Sequence, residues 1–339
     1  MGLTVGHAVR KIHSERSTTL VTGAGGMIGR ALCRHLSGAG LSVIGQIRAT
    51  QSQPAALKMD FVATGPIEEY ENWPSLLTEV RDVVHLAAYA DFRRAKTAEE
   101  LTNLYAVNVE ATRQLALAAV AQGVRRLIFL STIKVNGEFT MGHPFDLRSP
   151  CWPSTDYAKS KFKAEQVLRE IVEGTATRLV ILRVPLVYGG EPRHNLSKLI
   201  NLVESGVPLP FASIDNRRHM LALPDLLQLI QRLVTLPDIE SATWVLADDK
   251  PWSIVEMVAV IASVLKVTPR QIFVPRGLLV NLLRLVGKGD AIRSLVCDLE
   301  ADATAVRQRF ALATDLSRAD VLAMTVNHYK NNRGAEKVS

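Results

Sequence analysis

The chain contains few cysteines, and their positions exclude two kinds of site. Cys33, Cys151 and Cys297 are the only cysteines among 339 residues. Their spacings match no metal-binding motif, and an odd number cannot all pair in disulfides within one chain. We therefore expect no bound metal, and a reducing, cytoplasmic compartment.

Long apolar runs are scarce as well. The most apolar late stretch, 278–286, is interrupted by Asn281 and Arg284 and is too short to cross a bilayer. This pattern favours a core or interface helix over a helix that lies on a membrane. Residues 1–16 are polar and basic, without the apolar centre of a signal peptide, and are expected to form a tail.

Blocks of like charge are absent, although the net charge is +7. Scattered basic residues favour a solvated surface that attracts anionic substrates over a nucleic-acid interface. No internal repeat or low-complexity segment is found. The length is sufficient for one large domain or two moderate ones with a sizeable core.

A glycine-rich turn is the most informative feature of the sequence. Gly23, Gly26 and Gly29 follow a short apolar run, and residues 30–36 then show helical periodicity. Such a turn lets backbone N–H groups approach a pyrophosphate, which also faces the positive end of the helix. We predict a dinucleotide-binding site here rather than an ordinary strand-to-helix connection.

The end of the second predicted strand, residues 41–47, bears on the type of cofactor. A carboxylate there would bind the adenosine ribose hydroxyls and repel a 2′-phosphate. This chain instead has Ile47 followed by Arg48. Arg48 could pair with a 2′-phosphate and so favours NADP, while a solvated arginine with NAD bound stays open.

Strands and helices alternate along the first half of the chain. The further predicted elements are strands at 57–61, 80–88, 126–132 and 179–183 and helices at 99–121 and 155–171. This alternation predicts an α/β fold of Rossmann type, a doubly wound parallel sheet whose ligands lie beyond the carboxyl ends of the strands. His85, inside an apolar strand, is interpreted as a packed core histidine.

The pattern changes after Val187, where glycine and proline mark a boundary or an exposed loop. We expect an NAD(P)-binding domain over 17–187, with returning elements near 219–247, and a smaller, discontinuous, mostly helical substrate lobe over 188–339. Within that lobe, helices are predicted near 195–205, 224–235, 253–265 and 277–287, and an extended piece at 243–247.

Tyr157 and Lys161 carry the chemistry. On a helix, residues four apart share a face, and an ammonium beside a phenol favours the phenolate and lowers its pKa. Tyrosine could then exchange a proton with a substrate hydroxyl while hydride moves to or from nicotinamide. A hydroxyl of the strand end at Ser131 and Thr132 could bond the same substrate oxygen, which disfavours an ordinary surface pair.

Together these motifs resemble the extended short-chain dehydrogenase/reductase superfamily, in its NAD-dependent epimerase/dehydratase branch. The stretches that carry the resemblance are 22–29, 85–88, 107–109, 130–138, 185–189 and 216–218. The last three are similar to those of bacterial nucleotide-sugar 4-epimerases and 4-keto-reductases that build surface polysaccharides. Asp302–Phe310 lacks the Leu-Gly-Trp ending of that group, so no substrate-binding residue is assigned from this region.

The resemblance assigns roles to individual positions. Thr132, Tyr157 and Lys161 are the expected catalytic residues. With Arg48, the expected cofactor contacts are Gly23, Gly26, Met27, Ile28, Gly29, Asp60, Phe61, Leu86, Ala87, Ala88, Asn108, Tyr157, Lys161 and Pro185. The expected substrate contacts are Thr132, with Asn195 and Arg218 at the pyrophosphate of a nucleotide sugar. The resemblance also implies a homodimer through the helices near 99–121 and 155–171.

Several reactions remain open at this stage. Ile133 and Lys134 follow Thr132, where a dehydratase has an acidic pair, so dehydration is disfavoured. A UDP-hexose 4-epimerase and a 4-keto-reductase remain nearly balanced, and Arg48 leans toward an NADPH-dependent reductase. The alternatives are a hydroxysteroid or flavonoid-type reductase and an NAD(P)-binding sensor or scaffold without turnover. The intact set of Thr132, Tyr157 and Lys161 disfavours the last of these.

Overall fold

A computed structural model of the chain describes residues 17–48, 60–90, 97–192, 195–285, 297–313 and 316–336. Its strands are β1 (Thr18–Thr22), β2 (Val43–Ile47), β3 (Asp60–Ala63), β4 (Val80–His85), β5 (Arg126–Thr132), β6 (Arg178–Val184), β7 (Leu186–Tyr188), β8 (Met220–Ala222) and β9 (Ala242–Val245). Seven of them form one sheet in the order β3-β2-β1-β4-β5-β6-β9, and β7 pairs with β8 in a second sheet.

The strand pairing places a crevice next to β1. This strand pairs in parallel with β2 on one side and with β4 on the other, so that Val21 lies opposite Gly45 and Val84. Successive strands β2 and β3 are therefore added on one side of β1, and the chain then crosses to add β4 and β5 on its other side. Ligands of doubly wound sheets bind outside the carboxyl ends of the strands at such a point. The glycine-rich turn, which begins just after Thr22, lies at that end.

Helices cover the sheet and complete its core. The helices are α1 (Met27–Gly38), α2 (Trp73–Leu76), α3 (Ala98–Tyr105), α4 (Ala111–Ala121), α5 (Asp156–Val172), α6 (Asn195–Glu204), α7 (Leu223–Thr235), α8 (Ile254–Leu265), α9 (Arg276–Leu285), α10 (Thr304–Arg309) and α11 (Arg318–Glu336). Leu20, Val83 and Leu127 of the strands pack with Leu115 of α4 and Leu168 of α5. Strands covered on both faces require continuous apolar runs, and the predicted parallel sheet is confirmed.

One predicted helix has a different geometry. Instead of a continuous α-helix over 99–121, the chain forms α3, a π-helical segment at Ala106–Glu110, and then α4. The wider π turn accommodates one extra residue, and such segments often occur at functional sites. Here the segment buries Val107 and Asn108. Apolar spacing does not distinguish the two helix types, so the sequence pattern could not show this change.

The chain divides into two compact units. The first consists of the residues up to Ser131 with Thr155–Ile181 and Gln231–Ala242, and the second of Thr132–Ser154, Leu182–Ile230 and the residues from Thr243 onward. The second unit has its own apolar core, in which Leu199 of α6, Val258 of α8 and Val326 of α11 are buried. Its β7 and β8 are parallel, with Val187 opposite Leu221.

The predictions for the later part of the chain are mostly confirmed. Helices α6, α7, α8 and α9 lie close to the predicted ranges, and β9 returns to the main sheet as expected. The other strand of the 219–247 region, β8, does not return, because it pairs with β7. Helix α11 lies outside the predicted elements. At its start, the backbone N–H of Ser317 donates to the Asp320 Oδ2 and the backbone N–H of Asp320 donates to the Ser317 Oγ, the pattern of a helix-capping sequence.

Some predictions fall on residues that the structure does not describe. These are the tail 1–16, residues 57–59 of the third predicted strand and the last residues of the helix at 277–287. The described part of the third strand begins at Asp60. In the described ranges, no helix has the length and apolar character required to cross a membrane.

A buried ion pair joins two central strands of the first unit. Asp82 of β4 lies opposite Arg126 of β5, both are fully buried, and the Arg126 Nε lies 3.4 Å from the Asp82 Oδ1. The guanidinium also donates to the carbonyl oxygens of Leu233 and Leu236 at the end of α7. Burial raises the pKa of Asp82, and Arg126 opposes that change. One arginine therefore neutralises the charge of a buried carboxylate and also satisfies carbonyl oxygens at the C-terminus of a helix.

Replacing Arg126 with methionine should lower the free energy of unfolding by about 3 kcal/mol, because Asp82 and two helix carbonyls would lose their buried donor. Urea denaturation followed by circular dichroism measures this loss. The neighbouring Arg125 is half-buried, and Arg125→Met is the matched control, with an expected change below about 1 kcal/mol. Equal losses in both variants would show that the buried pair has no special role in stability.

Candidate active site

The glycine-rich turn can be built only with very small residues at its two ends. Gly23 has φ +69°, and a Cβ placed there would lie 2.8 Å from the backbone nitrogen of Ala87. A Cβ at Gly29 would lie 2.2 Å from the carbonyl oxygen of Gly23. Gly26 is the N-cap of α1, and the first turn of that helix carries no acidic residue. The turn therefore presents an uncrowded, electropositive helix end, which suits a pyrophosphate.

A buried glutamine fixes the turn, and sequence analysis missed it. The backbone N–H of Gly23 donates to the Gln46 Oε1 at 3.0 Å, and the N–H of Ala24 donates to the Gln46 carbonyl oxygen at 2.9 Å. The Gln46 Nε2 donates in turn to the Thr64 Oγ1 at 2.8 Å. A polar residue inside the otherwise apolar strand β2 was the available signal, because buried polar side chains are retained where they have partners.

The end of β4 is tied to β1 by buried hydroxyl and imidazole groups. The Thr22 Oγ1 accepts from the backbone N–H groups of Leu86 and Ala87, both at 3.2 Å, and lies 2.7 Å from the His85 Nδ1. The other ring nitrogen of His85 lies 2.9 Å from the Thr112 Oγ1. Burial and the nearby Lys161 lower the pKa of His85 to about 3. His85 is thus a neutral, packed residue, in agreement with its interpretation from the sequence.

The predicted adenine end lies on β2 and β3. Asp60 is exposed at the first position of β3, and Phe61 beside it is half-buried. A Cβ at Gly45 would lie 2.8 Å from two atoms of the Phe61 ring, so this glycine provides room for the ring. Arg48 follows β2 and is exposed.

Asn108 connects the loop after β4 to helix α5. Its Oδ1 accepts from the backbone N–H of Tyr89 at 2.7 Å, and its Nδ2 donates to the Tyr89 carbonyl oxygen at 3.2 Å and to the Ser160 Oγ at 2.9 Å. Ser160 donates onward to the carbonyl oxygen of Tyr157 at 2.8 Å. The π-helical segment therefore supplies a buried amide that fixes the turn of α5 from which Tyr157 projects.

Tyr157 and Lys161 lie in the first two turns of α5. Thr155 caps this helix, since its Oγ1 accepts from the backbone N–H of Ala158 at 3.3 Å. Only 9% of Tyr157 and 2% of Lys161 are exposed. The Lys161 Nζ lies 3.8 Å from the centre of the Phe129 ring on β5, a cation–π contact that directs the ammonium toward the sheet.

Burial dominates the protonation of both residues. It raises the pKa of Tyr157 to about 12, which is the opposite of the lowering predicted from the adjacent lysine. Burial also lowers the pKa of Lys161 to about 7, and Glu165 opposes that change. The physical reason for the correction is that Lys161 is itself desolvated and holds its proton only partly near neutral pH. In the chain by itself, Tyr157 is a neutral phenol.

Glu165 is a second residue that sequence analysis missed. Its side chain is fully buried, its Oε1 accepts from the Ser131 Oγ at 2.5 Å, and its Oε2 accepts from the Arg169 Nη2 at 3.2 Å. The signal was a charged residue on the same helical face as the buried Ala164 and Leu168.

Thr132, which belongs to the second unit, is the last residue of β5 and is 7% exposed. Its Oγ1 accepts from the backbone N–H of Lys134 at 3.3 Å, at the start of the 3₁₀ turn Ile133–Val135. Ile133 is buried, and the Lys134 Nζ lies 2.8 Å from the Glu138 Oε2. A hydrocarbon side chain and an ion-paired lysine thus follow Thr132.

The predicted substrate residues lie in the second unit. Asn195 is exposed at the first position of α6. Pro185, which was predicted as a cofactor contact, also belongs to this unit and is buried between β6 and β7. Arg218 pairs by its backbone with Trp252, and its Nη1 donates to the carbonyl oxygen of Cys297 at 2.9 Å. Burial lowers the pKa of Arg218, yet a guanidinium remains charged at any physiological pH. It is therefore a fixed, largely desolvated positive charge.

Comparison with known proteins identifies the family. The sequence pattern of the NAD dependent epimerase/dehydratase family matches residues 19–246, which is most of the chain. The chain belongs to this family. It is accordingly an NAD-dependent enzyme of the epimerase and oxidoreductase type, and the resemblance predicted from its motifs is confirmed. For the cofactor, the family supports NAD, whereas the preference for NADP inferred from Arg48 stays a prediction.

Curated relatives include a UDP-glucose 4-epimerase from Vibrio cholerae, which is 33% identical over 286 residues, 84% of this chain and 86% of that protein. An N-acetyl-alpha-D-glucosaminyl-diphospho-ditrans,octacis-undecaprenol 4-epimerase from Escherichia coli O157:H7 is 31% identical over 129 residues, 38% of each chain. Among solved structures, a UDP-glucuronic acid 4-epimerase from Bacillus cereus in complex with NAD has a TM-score of 0.73 at 18% identity, over 93% of this chain and 96% of that chain. The structural likeness confirms the Rossmann-type fold.

Replacing Gly23 with alanine should destroy the turn. The new Cβ would meet the backbone of Ala87, and the positive φ would be strained, so we expect NAD to bind at least about tenfold more weakly. Isothermal titration calorimetry with NAD measures the affinity, and urea denaturation measures the accompanying loss of stability.

Gly40 offers a matched control for that experiment. It has φ +77°, and a Cβ placed there would meet nothing within 4 Å. Gly40→Ala should therefore lower the free energy of unfolding by about 1 kcal/mol through backbone strain alone and leave NAD affinity unchanged. If the two variants bind NAD equally well, the turn at Gly23 does not form the pyrophosphate site.

Proposed function

We propose that this protein is a nucleotide-sugar 4-epimerase that acts on a UDP-hexose. The observation that carries the proposal is the buried pair of Tyr157 and Lys161 on one face of α5. The Lys161 ammonium lies over the Phe129 ring of β5, and its charge helps to lower the pKa of His85 of β4. His85 is hydrogen-bonded to Thr22, which lies directly before the glycine-rich turn. An acid–base group is thereby held over the strands whose carboxyl ends meet at the turn.

The residues of the first unit suit the NAD that the family requires. Gly23, Gly26 and the start of α1 would hold the pyrophosphate, and Phe61 and Asp60 would border the adenosine. Leu86 and Ala87 would flank the middle of the cofactor. Their backbone N–H groups donate to the Thr22 side chain, which fixes this segment beside the glycine-rich turn. When bound, NAD supplies the group that accepts hydride from sugar C4 and returns it.

Tyr157 is proposed to take the proton of the sugar C4 hydroxyl as that carbon is oxidised, and to return it when the keto sugar is reduced on its other face. With a pKa of about 12, the phenol holds its proton tightly, whereas its phenolate, once formed, is a strong base toward the sugar hydroxyl. The charge on Lys161 favours the phenolate and so assists the first step. Thr132 is proposed as a hydrogen-bonding residue for the substrate. No dehydration is expected, because Ile133 and Lys134 provide no acidic pair.

The nucleotide end is assigned to Arg218 and Asn195. A guanidinium suits a diphosphate because its planar fork can bind two oxygens at once. The relative from Vibrio cholerae is named for UDP-glucose, which supports a UDP-hexose as the substrate. We further propose that the reaction serves surface polysaccharide synthesis. A cytoplasmic location is also proposed, in keeping with the free thiols of Cys33, Cys151 and Cys297.

The NAD-loaded protein should interconvert UDP-glucose and UDP-galactose, or their N-acetylhexosamine counterparts, without net formation of NADH. Tyr157→Phe should lose about 10²-fold or more in kcat, because the phenyl ring cannot transfer a proton. The equilibrating sugars are resolved by anion-exchange chromatography, and NADH is followed by absorbance.

Tyr70→Phe is the control for this substitution, since the Tyr70 ring packs edge-on against Trp73 and phenylalanine keeps that contact. Wild-type turnover by Tyr157→Phe would remove Tyr157 from the mechanism. Stoichiometric consumption of NADH or NADPH with a 4-keto-6-deoxy sugar, without epimerisation, would instead identify a 4-keto-reductase.

A homodimer through α4 and α5 completes the proposal. Leu117 of α4 is 44% exposed and Leu101 of α3 is 38% exposed, so each helix has an apolar side chain available for contact with a partner. Leu117→Glu should raise the dimer dissociation constant about 100-fold, because a charge would be buried without a partner. Size-exclusion chromatography with light scattering measures the mass.

Leu202→Glu on α6 is the matched control, since Leu202 is 37% exposed but lies outside the proposed interface. It should leave the mass unchanged. A dimer that persists in Leu117→Glu and dissociates in Leu202→Glu would place the interface elsewhere.

A further inference from the structure

The first unit contains a buried carboxylate for which the proposed reaction gives no role. Glu165 is fully enclosed in α5, one helical turn beyond Lys161, so the two side chains lie along the same face of the helix. Its two oxygens have fixed positions, because Ser131 donates to one at 2.5 Å and Arg169 donates to the other at 3.2 Å. A buried carboxylate held in this way is a localised negative charge next to the active-site lysine.

Anchoring the helix does not by itself require a charge at this position. A neutral glutamine could accept the hydrogen bond from Ser131 and would avoid the cost of burying an ionised group, although its NH2 group could not accept the bond from Arg169. Arg169 gives only partial compensation, because 44% of its side chain is exposed to solvent and screened. The structure therefore retains a buried charge where a neutral residue could satisfy the same hydrogen bond.

Lys161 is the group that benefits from this charge. Lys161 is 2% exposed, and its ammonium lies over the Phe129 ring, which attracts a cation but forms no ion pair with it. Burial favours the neutral amine, and Glu165 is the group that opposes this effect. A neutral Lys161 could no longer favour the phenolate of Tyr157.

We propose that Glu165 is a positioning residue of the active site that keeps the Lys161 ammonium charged and, through Ser131, fixes the end of β5. Glu165 acts through Lys161 and touches neither substrate nor cofactor in this role. The inference deepens the proposed function and rests on it only for the part that Lys161 plays in turnover.

Other titratable groups lie around Lys161 in the described structure. His85 of β4 is neutral and is itself affected by the charge on Lys161. Tyr157, one turn earlier on α5, is a neutral phenol in the chain by itself. Neither supplies a negative charge near neutral pH, and this leaves Glu165 as the stabilising carboxylate.

The decisive variant is Glu165→Gln, which keeps an acceptor for Ser131 and removes the charge. In NAD-loaded protein with isotope-labelled lysine, the NMR signal of Lys161, identified by its absence from Lys161→Met, gives the titration midpoint directly. We expect the midpoint to fall by about one pH unit or more, because an opposite charge close to the amine is lost. Glu170→Gln, an exposed neighbour on the same helix, should leave the midpoint unchanged.

The pH dependence of kcat provides a second test, because the proposal predicts the direction in which the profile shifts. Activity that requires the ammonium is lost as the pH rises through the pKa of Lys161, so a lower pKa moves this descending limb of kcat to lower pH. At a pH above both midpoints, the kcat of Glu165→Gln should be about tenfold lower if the Lys161 midpoint falls by about one on the pH scale. Ser131→Ala breaks the hydrogen bond but keeps the carboxylate, and its midpoint should stay near that of the wild type.

An unchanged Lys161 midpoint in folded Glu165→Gln would overturn the proposal and leave Glu165 with a structural role only. If the glutamine variant does not fold, Glu165→Asp keeps the charge but withdraws it by one carbon, and the same titration should show a smaller fall. A fall in Glu165→Asp as large as that expected for complete loss of the charge, about one pH unit, would contradict the proposal. Because the titration needs no sugar, it decides the role of Glu165 even if the epimerase assay fails.

Discussion

The buried amide of Asn108 is the interaction on which the geometry of the site depends. It accepts from and donates to the backbone of Tyr89 after β4, and it donates to Ser160, which holds the carbonyl oxygen of Tyr157. Removing one partner of a buried hydrogen bond leaves the other unsatisfied at a cost of about 1–3 kcal/mol. Three bonds through one amide therefore fix a helix relative to a strand end more firmly than apolar contact alone could.

The same packing buries two ionisable side chains, those of Tyr157 and Lys161. Burial raises the pKa of Tyr157 to about 12 and lowers that of Lys161 to about 7, and both changes favour the uncharged forms. A proton-transfer pair works best when neither form is strongly preferred. The site thus needs compensating charge, and Glu165 supplies a negative one from a fixed position between Ser131 and Arg169.

The sequence predicts features that local pattern controls and misses those that tertiary contacts control. The turn at Gly23 was predictable because backbone conformation and close approach admit few other residues. Gln46 and Glu165 were missed because their roles depend on hydrogen bonds to Gly23 and Ser131, which are distant from them in the sequence. The π-helical segment at 106–110 was missed because a single widened turn changes too few residues to alter the helical pattern of the surrounding sequence. The pairing of β8 with β7 was missed because it joins segments that are distant in the sequence.

The residues after Thr132 restrict the chemistry that this scaffold can perform. Dehydration of a keto sugar requires a second acid–base pair to remove a proton next to the ketone and expel water. Here Ile133 is buried in the core, and the next residue, Lys134, is ion-paired with Glu138 at 2.8 Å. The proposed mechanism therefore leaves proton transfer to Tyr157, and a single reversible acid–base group suits a reaction that begins and ends with a hydroxyl at the same carbon.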